Sequence, residues 1–160
     1  MKYIGILLVL ISSVLVSREY SRYMRKRLGE CQGFLSFMTH IRIQVGCFLR
    51  PVRELAAGFS SKPLSECGFT DALKDSENIY EAYKKSEARL SLSPDERGVL
   101  ENLFSLLGEG YREEGVRLID ESKERMEALC ADLSKRCEKN IRLVTVISVT
   151  AALGFFIIVI

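Results

Sequence analysis

The chain has 160 residues, of which 48% are hydrophobic and 28% charged, with three prolines, no tryptophan and a formal net charge of +2. This composition excludes a disordered linker, and the length supports one domain with a core in preference to two. The small net charge conceals a segregation: Arg18, Arg22, Arg25, Lys26 and Arg27 follow an apolar start, and Lys135, Arg136, Lys139 and Arg142 precede an apolar end. Between Leu28 and Ser134 stand 13 basic against 19 acidic residues, a net of about −6. An acidic middle excludes nucleic acid as its partner, whereas the basic clusters suit anionic lipid headgroups.

In chain order, the first element is the apolar run Tyr3 to Ser17, YIGILLVLISSVLVS. At 1.5 Å per residue it reaches about 22 Å, short of a hydrocarbon core of roughly 30 Å. Three readings fit it. A cleaved signal peptide matches Lys2 and the length, although Val14, Val16 and Ser17 make a poor small-residue cleavage site. A short transmembrane helix, extended by snorkelling Arg18 and Arg22, is the expectation adopted for residues 1–17. The third reading is an interfacial hairpin partner of the C-terminal apolar run.

No Gly or Pro interrupts the helix from Arg18 to Gly29. Beyond it Phe34, Phe37, Met38, Ile41, Val45 and Phe48 recur at steps of three and four, which predicts one apolar helical stripe against a core. His40 sits beside this stripe as the sole histidine, so a structural or surface role is expected in place of a metal or catalytic one. Pro51 breaks the helix and suits the first turn of a short one over Val52 to Ala57, ended by Gly58. Phe59 to Gly68 reads as a loop in which Pro63 and Leu64 open a turn, and Asp71 to Arg89 as one helix facing the core with Leu73, Ile79, Tyr80 and Tyr83.

The strongest local start signal is SLSPDERGVL: Ser93 as N-cap, Pro94 at the first helical position and Glu96 completing a capping box. Val99, Leu100, Leu103, Phe104 and Leu107 form its apolar stripe, and Gly108 with Gly110 end it. A last helix starts near Arg112, carries Val116, Ile119, Met126, Leu129, Leu133 and Cys137 at near-heptad spacing, and runs without a breaker into Leu143 to Ile160. Continuous, it measures roughly 73 Å. Asn140 is where a bend is expected. The final eighteen residues hold no charge and predict a transmembrane helix over 143–160, leaving 18–142 as a cytosolic helical body with both basic clusters on its side of the membrane.

Cys31, Cys47, Cys67, Cys130 and Cys137 are odd in number, include no CxxC pair and have no histidine cluster beside them, so reduced core or boundary residues are expected. A phosphate-binding glycine loop, a nucleophile elbow and HExxH are all missing from the sequence. The adjacent carboxylates Glu113–Glu114 and Asp120–Glu121 read as a solvated helix face. The reading is therefore non-enzymatic, with no cofactor, metal or small-molecule substrate.

The RPVRELAAGF stretch after a long helix, the LSPDERGVLENLFSLLGEGYREEG segment and a final helix entering GFFIIVI together resemble the stage III sporulation protein AB family, over nearly the whole chain. That family is in turn similar to the cytosolic modules of the F-type platform protein of type II secretion and type IV pilus machines. The resemblance implies an all-α antiparallel bundle of about six helices flanked by N- and C-terminal transmembrane helices, at the outer forespore membrane on the mother-cell side. It implies a platform or adaptor role in a secretion-like channel between mother cell and forespore, beside a hexameric secretion-type ATPase, the stage III sporulation protein AA, and the AC to AH subunits. Leu107 and Gly108 follow the family's turn, whereas Tyr111 stands where Asp is usual and Gly115 where Gln is usual.

Two surfaces are expected to carry function. The basic collar of Arg22, Arg25, Lys26, Arg27, Lys135, Arg136 and Lys139 should meet anionic lipid or signal topology during insertion. The loop tip of Gly108, Gly110 and Tyr111 should dock a partner, with Tyr111 as its aromatic anchor. The competing class is a membrane-bound sensor or regulator that passes a signal across two transmembrane helices; a membrane enzyme is less well supported, because Ser12, Ser13 and Thr145 are hydroxyls of the kind that bond their own helix backbone.

Overall fold

Two long helices frame the chain. In the computed structural model, which describes residues 2–47, 58–107 and 112–159, α1 spans Lys2–Cys47 and α6 spans Arg112–Val159. Between them lie α2 (Lys62–Glu66), α3 (Phe69–Lys74), α4 (Ile79–Ser86), a 3-10 turn (Glu87–Arg89) and α5 (Pro94–Leu106). The described residues are thus all-helical, with six α-helices and no strand, in agreement with the expected class. They fall into two compact units, residues 1–25 with 132–160, and residues 26–131.

In the second unit, the predicted stripe of α1 is the floor of the core: Phe34, Phe37, Met38 and Ile41 are each at most 1% exposed. Phe69 of α3 meets Phe34 and Phe37 edge-on at 5.0 and 5.2 Å, and Phe104 of α5 lies against Tyr83 at 5.5 Å. These rings bury large apolar areas in offset and edge-to-face geometry, which makes them the dominant apolar contribution to the unit. Burial pushes the Tyr83 hydroxyl up to about 12, while it donates to the Arg97 carbonyl at 3.4 Å. Val45 and Phe48, the far end of the predicted stripe, lie outside the described side chains.

The helix does not stop at Gly29. Where α2 packs on this helix, Gly33 leaves the room that α2 needs, since a Cβ there would stand 2.9 Å from Leu64 Cγ, whereas one on Gly29 would be in ordinary contact with Pro63 at 3.5 Å. Pro63 opens α2 as expected, and Gly68, at φ +81°, joins α2 to α3 in the left-handed conformation that favours glycine.

Two expectations are corrected. The helix predicted over Asp71 to Arg89 is three elements, because α3 ends at Lys74 and the Asn78 side chain accepts from the Glu81 amide at 2.7 Å, starting α4 afresh. The cysteines expected to be reduced include a disulfide, Cys31–Cys130, with Cα atoms 6.2 Å apart and Met126 Sδ 3.6 Å from the Cys31 sulfur. Antiparallel packing of α1 and α6 brings these two residues together across 99 positions of sequence. Cys67 and Cys137 are buried free thiols.

The capping box is present in full: Ser93 Oγ accepts from the Glu96 amide, and Glu96 Oε2 accepts from the Ser93 amide at 2.7 Å. His40 lies against Phe59, ring centroids 5.5 Å apart. Helix α6 runs through Asn140 unbroken. The predicted break at Pro51 and the short helix over Val52 to Ala57 lie outside the described residues.

Candidate functional site

In the first unit, α1 and α6 run antiparallel with a fixed register. Ser17 Oγ and Thr145 Oγ1 are 3.4 Å apart, and Asn140 Nδ2 donates to the Tyr20 hydroxyl at 3.4 Å. Ser21 and Thr145 also donate back to the carbonyls of Ser17 and Ile141, which saves their hydroxyls from being unpaired next to apolar neighbours. Met24, Leu133 and Cys137 are buried in this unit.

The same two helices leave apolar side chains bare. On α1, Ile11, Val14, Leu15 and Val16 are 48–65% exposed, and on α6, Leu143, Val146, Ile147 and Val149 are 47–65% exposed. Spacings of three and four residues put Ile11, Val14 and Leu15, and Leu143, Val146, Ile147 and Val149, on stripes along their helices, with Val16 beside the first, a larger apolar display than scattered surface residues give. Immediately inward come Arg18, Arg22 and Arg25 on α1, and Lys135, Arg136, Lys139 and Arg142 on α6. By the Tyr20–Asn140 register, Arg22 stands at the level of Lys139 and Arg25 at that of Lys135 and Arg136. Arg22 pairs with Glu19 at 3.2 Å and Arg136 with Asp132 at 2.8 Å, both in the open, where such pairs hold little energy and release readily to another anion. Arg25, Lys135 and Lys139 are exposed.

The other two members of the predicted collar belong to the second unit and face its own chain. Arg27 donates through Nε and Nη2 to both carboxylate oxygens of Glu96, at 3.1 and 2.9 Å, and Glu96 is 1% exposed. Lys26 stands 3.6 Å from Glu30 Oε1 and donates to the Arg89 carbonyl at 3.5 Å. Glu30 is itself fully buried; its Oε2 accepts from the Ser91 amide at 2.6 Å, while Oε1 has only the longer ion pair. Burial pushes the Glu30 carboxyl above the usual range, against the opposing pull of Ser91 and Lys26. From the other side, Arg97 donates to the carbonyls of Leu90 and Leu92 at 2.7 and 3.1 Å. The extended segment 90–93 has no helix of its own to satisfy its backbone, and charged side chains of α1 and α5 take that role. This polar latch ties α1 to the start of α5.

Glu30 and Arg97 were no part of the sequence-level expectation. The signal available for Glu30 was an acid on the apolar side of α1, four residues after Lys26. The pair Asp120–Glu121 lies on a solvated face as expected, each carboxylate taking an arginine there: Asp120 binds Arg42 through both oxygens, which holds its carboxyl below the usual range, and Glu121 accepts from Arg117 at 3.1 Å. Gly108, Gly110 and Tyr111, the predicted docking tip, lie outside the described residues.

Among the described residues, no cluster of three or more His, Cys, Asp and Glu side chains could hold a metal. Among the same residues, no helix is long and apolar enough to cross a membrane. The side chains of residues 1–10 and 155–160, the outer ends of the two apolar runs, are outside that description.

Neither a curated protein nor a solved structure matches the chain. The family described as Stage III sporulation protein AB (spore_III_AB) matches over residues 2–160, and this chain, with its helical body closed by the LSPDER latch and its two long flanking helices, belongs to that family and to the third stage of sporulation.

Proposed function

We propose that the chain is a non-enzymatic platform or adaptor subunit, anchored in a membrane by its first unit, in a secretion-like channel between mother cell and forespore. The observation that carries this reading is the pairing of bare apolar stripes on α1 and α6 with a basic rim at one level. Ile11, Val14, Leu15 and Val16, with Leu143, Val146, Ile147 and Val149, are an expensive surface to leave in water, at about 25 cal/mol per Å². In hydrocarbon that cost vanishes. Arg22, Arg25, Lys135 and Lys139 would then sit at anionic headgroups, each worth about 1 kcal/mol there, with the half-exposed ring of Tyr23 in the interfacial belt.

Two antiparallel helices in register make an anchor in which the shorter apolar run, Tyr3 to Ser17, lies beside the longer one, Leu143 to Ile160. Lys26 and Arg27 have no part in the rim on this reading, since their charges close the latch. The body then serves as a rigid docking block at the outer forespore membrane on the mother-cell side. Its partners would be the hexameric secretion-type ATPase of the system, the stage III sporulation protein AA, and the AC to AH channel subunits.

The test is reconstitution of the full chain with phosphatidylethanolamine vesicles, with and without phosphatidylglycerol, followed by an alkaline wash. Retention through the wash is expected. Substituting Gln for Arg22, Arg25, Lys135 and Lys139 should lower insertion into the anionic vesicles only. A chain that the wash removes from both vesicles would overturn the anchor, and normal spore formation by a strain whose chain lacks residues 1–17 and 143–160 would overturn its role in the channel.

A further inference from the structure

Beyond anchoring, and independent of it, we propose that the groove between α5 and α6 is a self-association site, occupied by the same groove of a second copy of this chain. The groove is open to solvent, with a volume of about 700 Å³, and Gly98 forms part of its wall. Gly98 stands in the interior of α5, where glycine costs about 1 kcal/mol relative to alanine. Its own fold does not use the missing side chain: a Cβ there would meet nothing within 4 Å, unlike at Gly33, where Leu64 crowds in. A helix face without a side chain permits close approach of another backbone, and among the described residues no backbone of this chain takes the place.

The lining selects the occupant. Val99 and Leu129 are half-buried and supply an apolar strip, while Asp95 and Arg125 are exposed on its rim and make no ion pair among the described residues. One acid and one base exclude a lipid surface or a nucleic acid, both of which need a net basic face. The same pair is self-complementary. About a twofold axis near Gly98, Asp95 of each copy faces Arg125 of the other, giving two ion pairs around a small-residue crossing. Asn102, one turn further on the same face of α5, is exposed and able to bond its counterpart. A contact made by one short helix and part of another falls at the small end of specific interfaces, among the weak, reversible ones.

The experiment is sedimentation of the full chain in density-matched detergent over a wide concentration range, for wild type and four variants. The wild type is expected to pass from one to two copies of the 18.1 kDa chain as concentration rises. Gly98→Leu puts a bulky side chain into the groove at a point where a Cβ meets nothing within 4 Å, so its Tm should equal or exceed the wild type's while the dimer disappears. Asp95→Arg and Arg125→Asp should each weaken the dimer at least tenfold, and the two together should restore it. A wild type that stays monomeric throughout, a dimer that survives Gly98→Leu, or charge reversals without effect would each overturn the proposal. So would a monomeric wild type whose Gly98→Leu variant fails in sporulation, since the groove would then belong to a different protein.

Discussion

Arg27 holds Glu96 by both carboxylate oxygens while the same carboxylate caps the Ser93 amide, so one buried glutamate links α1 to the first turn of α5. Neither residue has a close substitute. Lysine offers no two-pronged donor, and glutamine leaves the guanidinium without a counter-charge.

Arg27→Gln is therefore expected to destabilise the chain by about 2–4 kcal/mol, because it leaves a buried carboxylate uncompensated. Arg25→Gln, two residues away and exposed, should stay within about 0.5 kcal/mol. Urea unfolding of the two variants measures the difference. Equal midpoints would show that Arg27 contributes no more than a surface charge.

Glu30 gives a pH dependence of stability. Its folded carboxyl is raised by burial, so its contribution is fully present below the ordinary glutamate range and declines as pH rises through the raised value. Asp120 acts in the opposite sense: Arg42 lowers its carboxyl, and that contribution is lost as pH falls. Glu30→Gln keeps an acceptor for the Ser91 amide and removes the charge. The Tm of this variant relative to wild type should therefore rise from acid to neutral pH, as thermal melts across that range would reveal; a constant difference would refute the buried ionisation.

What could be read in advance was what is local. Ser93 and Glu96 are three residues apart, and their box needs only backbone geometry; Phe34, Phe37 and Met38 share a face because the helix repeats every 3.6 residues. The errors came from distance and from brief interruptions. Arg27 stands in a run of basic residues that resembles a membrane collar, and only the fold brings Glu96 to it from 69 positions away. Cys31 and Cys130 have no spacing pattern to betray a pair. The single helix expected over 71–89 was split by Asn78, whose capping side chain competes with helix continuation inside an otherwise amphipathic stretch.

The Cys31–Cys130 bridge joins helices at opposite ends of the chain and closes a loop of 99 residues. A loop of about that length restricts the unfolded chain by up to about 4.7 kcal/mol, so Cys130→Ser should lower the Tm of the oxidised protein and make it insensitive to dithiothreitol. Wild type should melt lower in reductant than without it. Cys67→Ser and Cys137→Ser change buried thiols outside the bridge and should preserve that reductant dependence. If wild type melts identically with and without reductant, the bridge adds nothing to stability.

Two glycines interior to helices are expected to respond in opposite directions. At Gly33 an added methyl would lie 2.9 Å from Leu64 Cγ and 3.1 Å from Ser61 Oγ, and Leu64 is fully buried. Gly33→Ala should then displace α2 from α1 at a cost of about 1–3 kcal/mol, in spite of alanine's higher helix propensity. At Gly98 the methyl meets open space, so Gly98→Ala should gain roughly 0.5–1 kcal/mol. Chemical denaturation of both variants decides the matter through the sign of each change. If both gained stability, the close seating of α2 on α1 would be wrong.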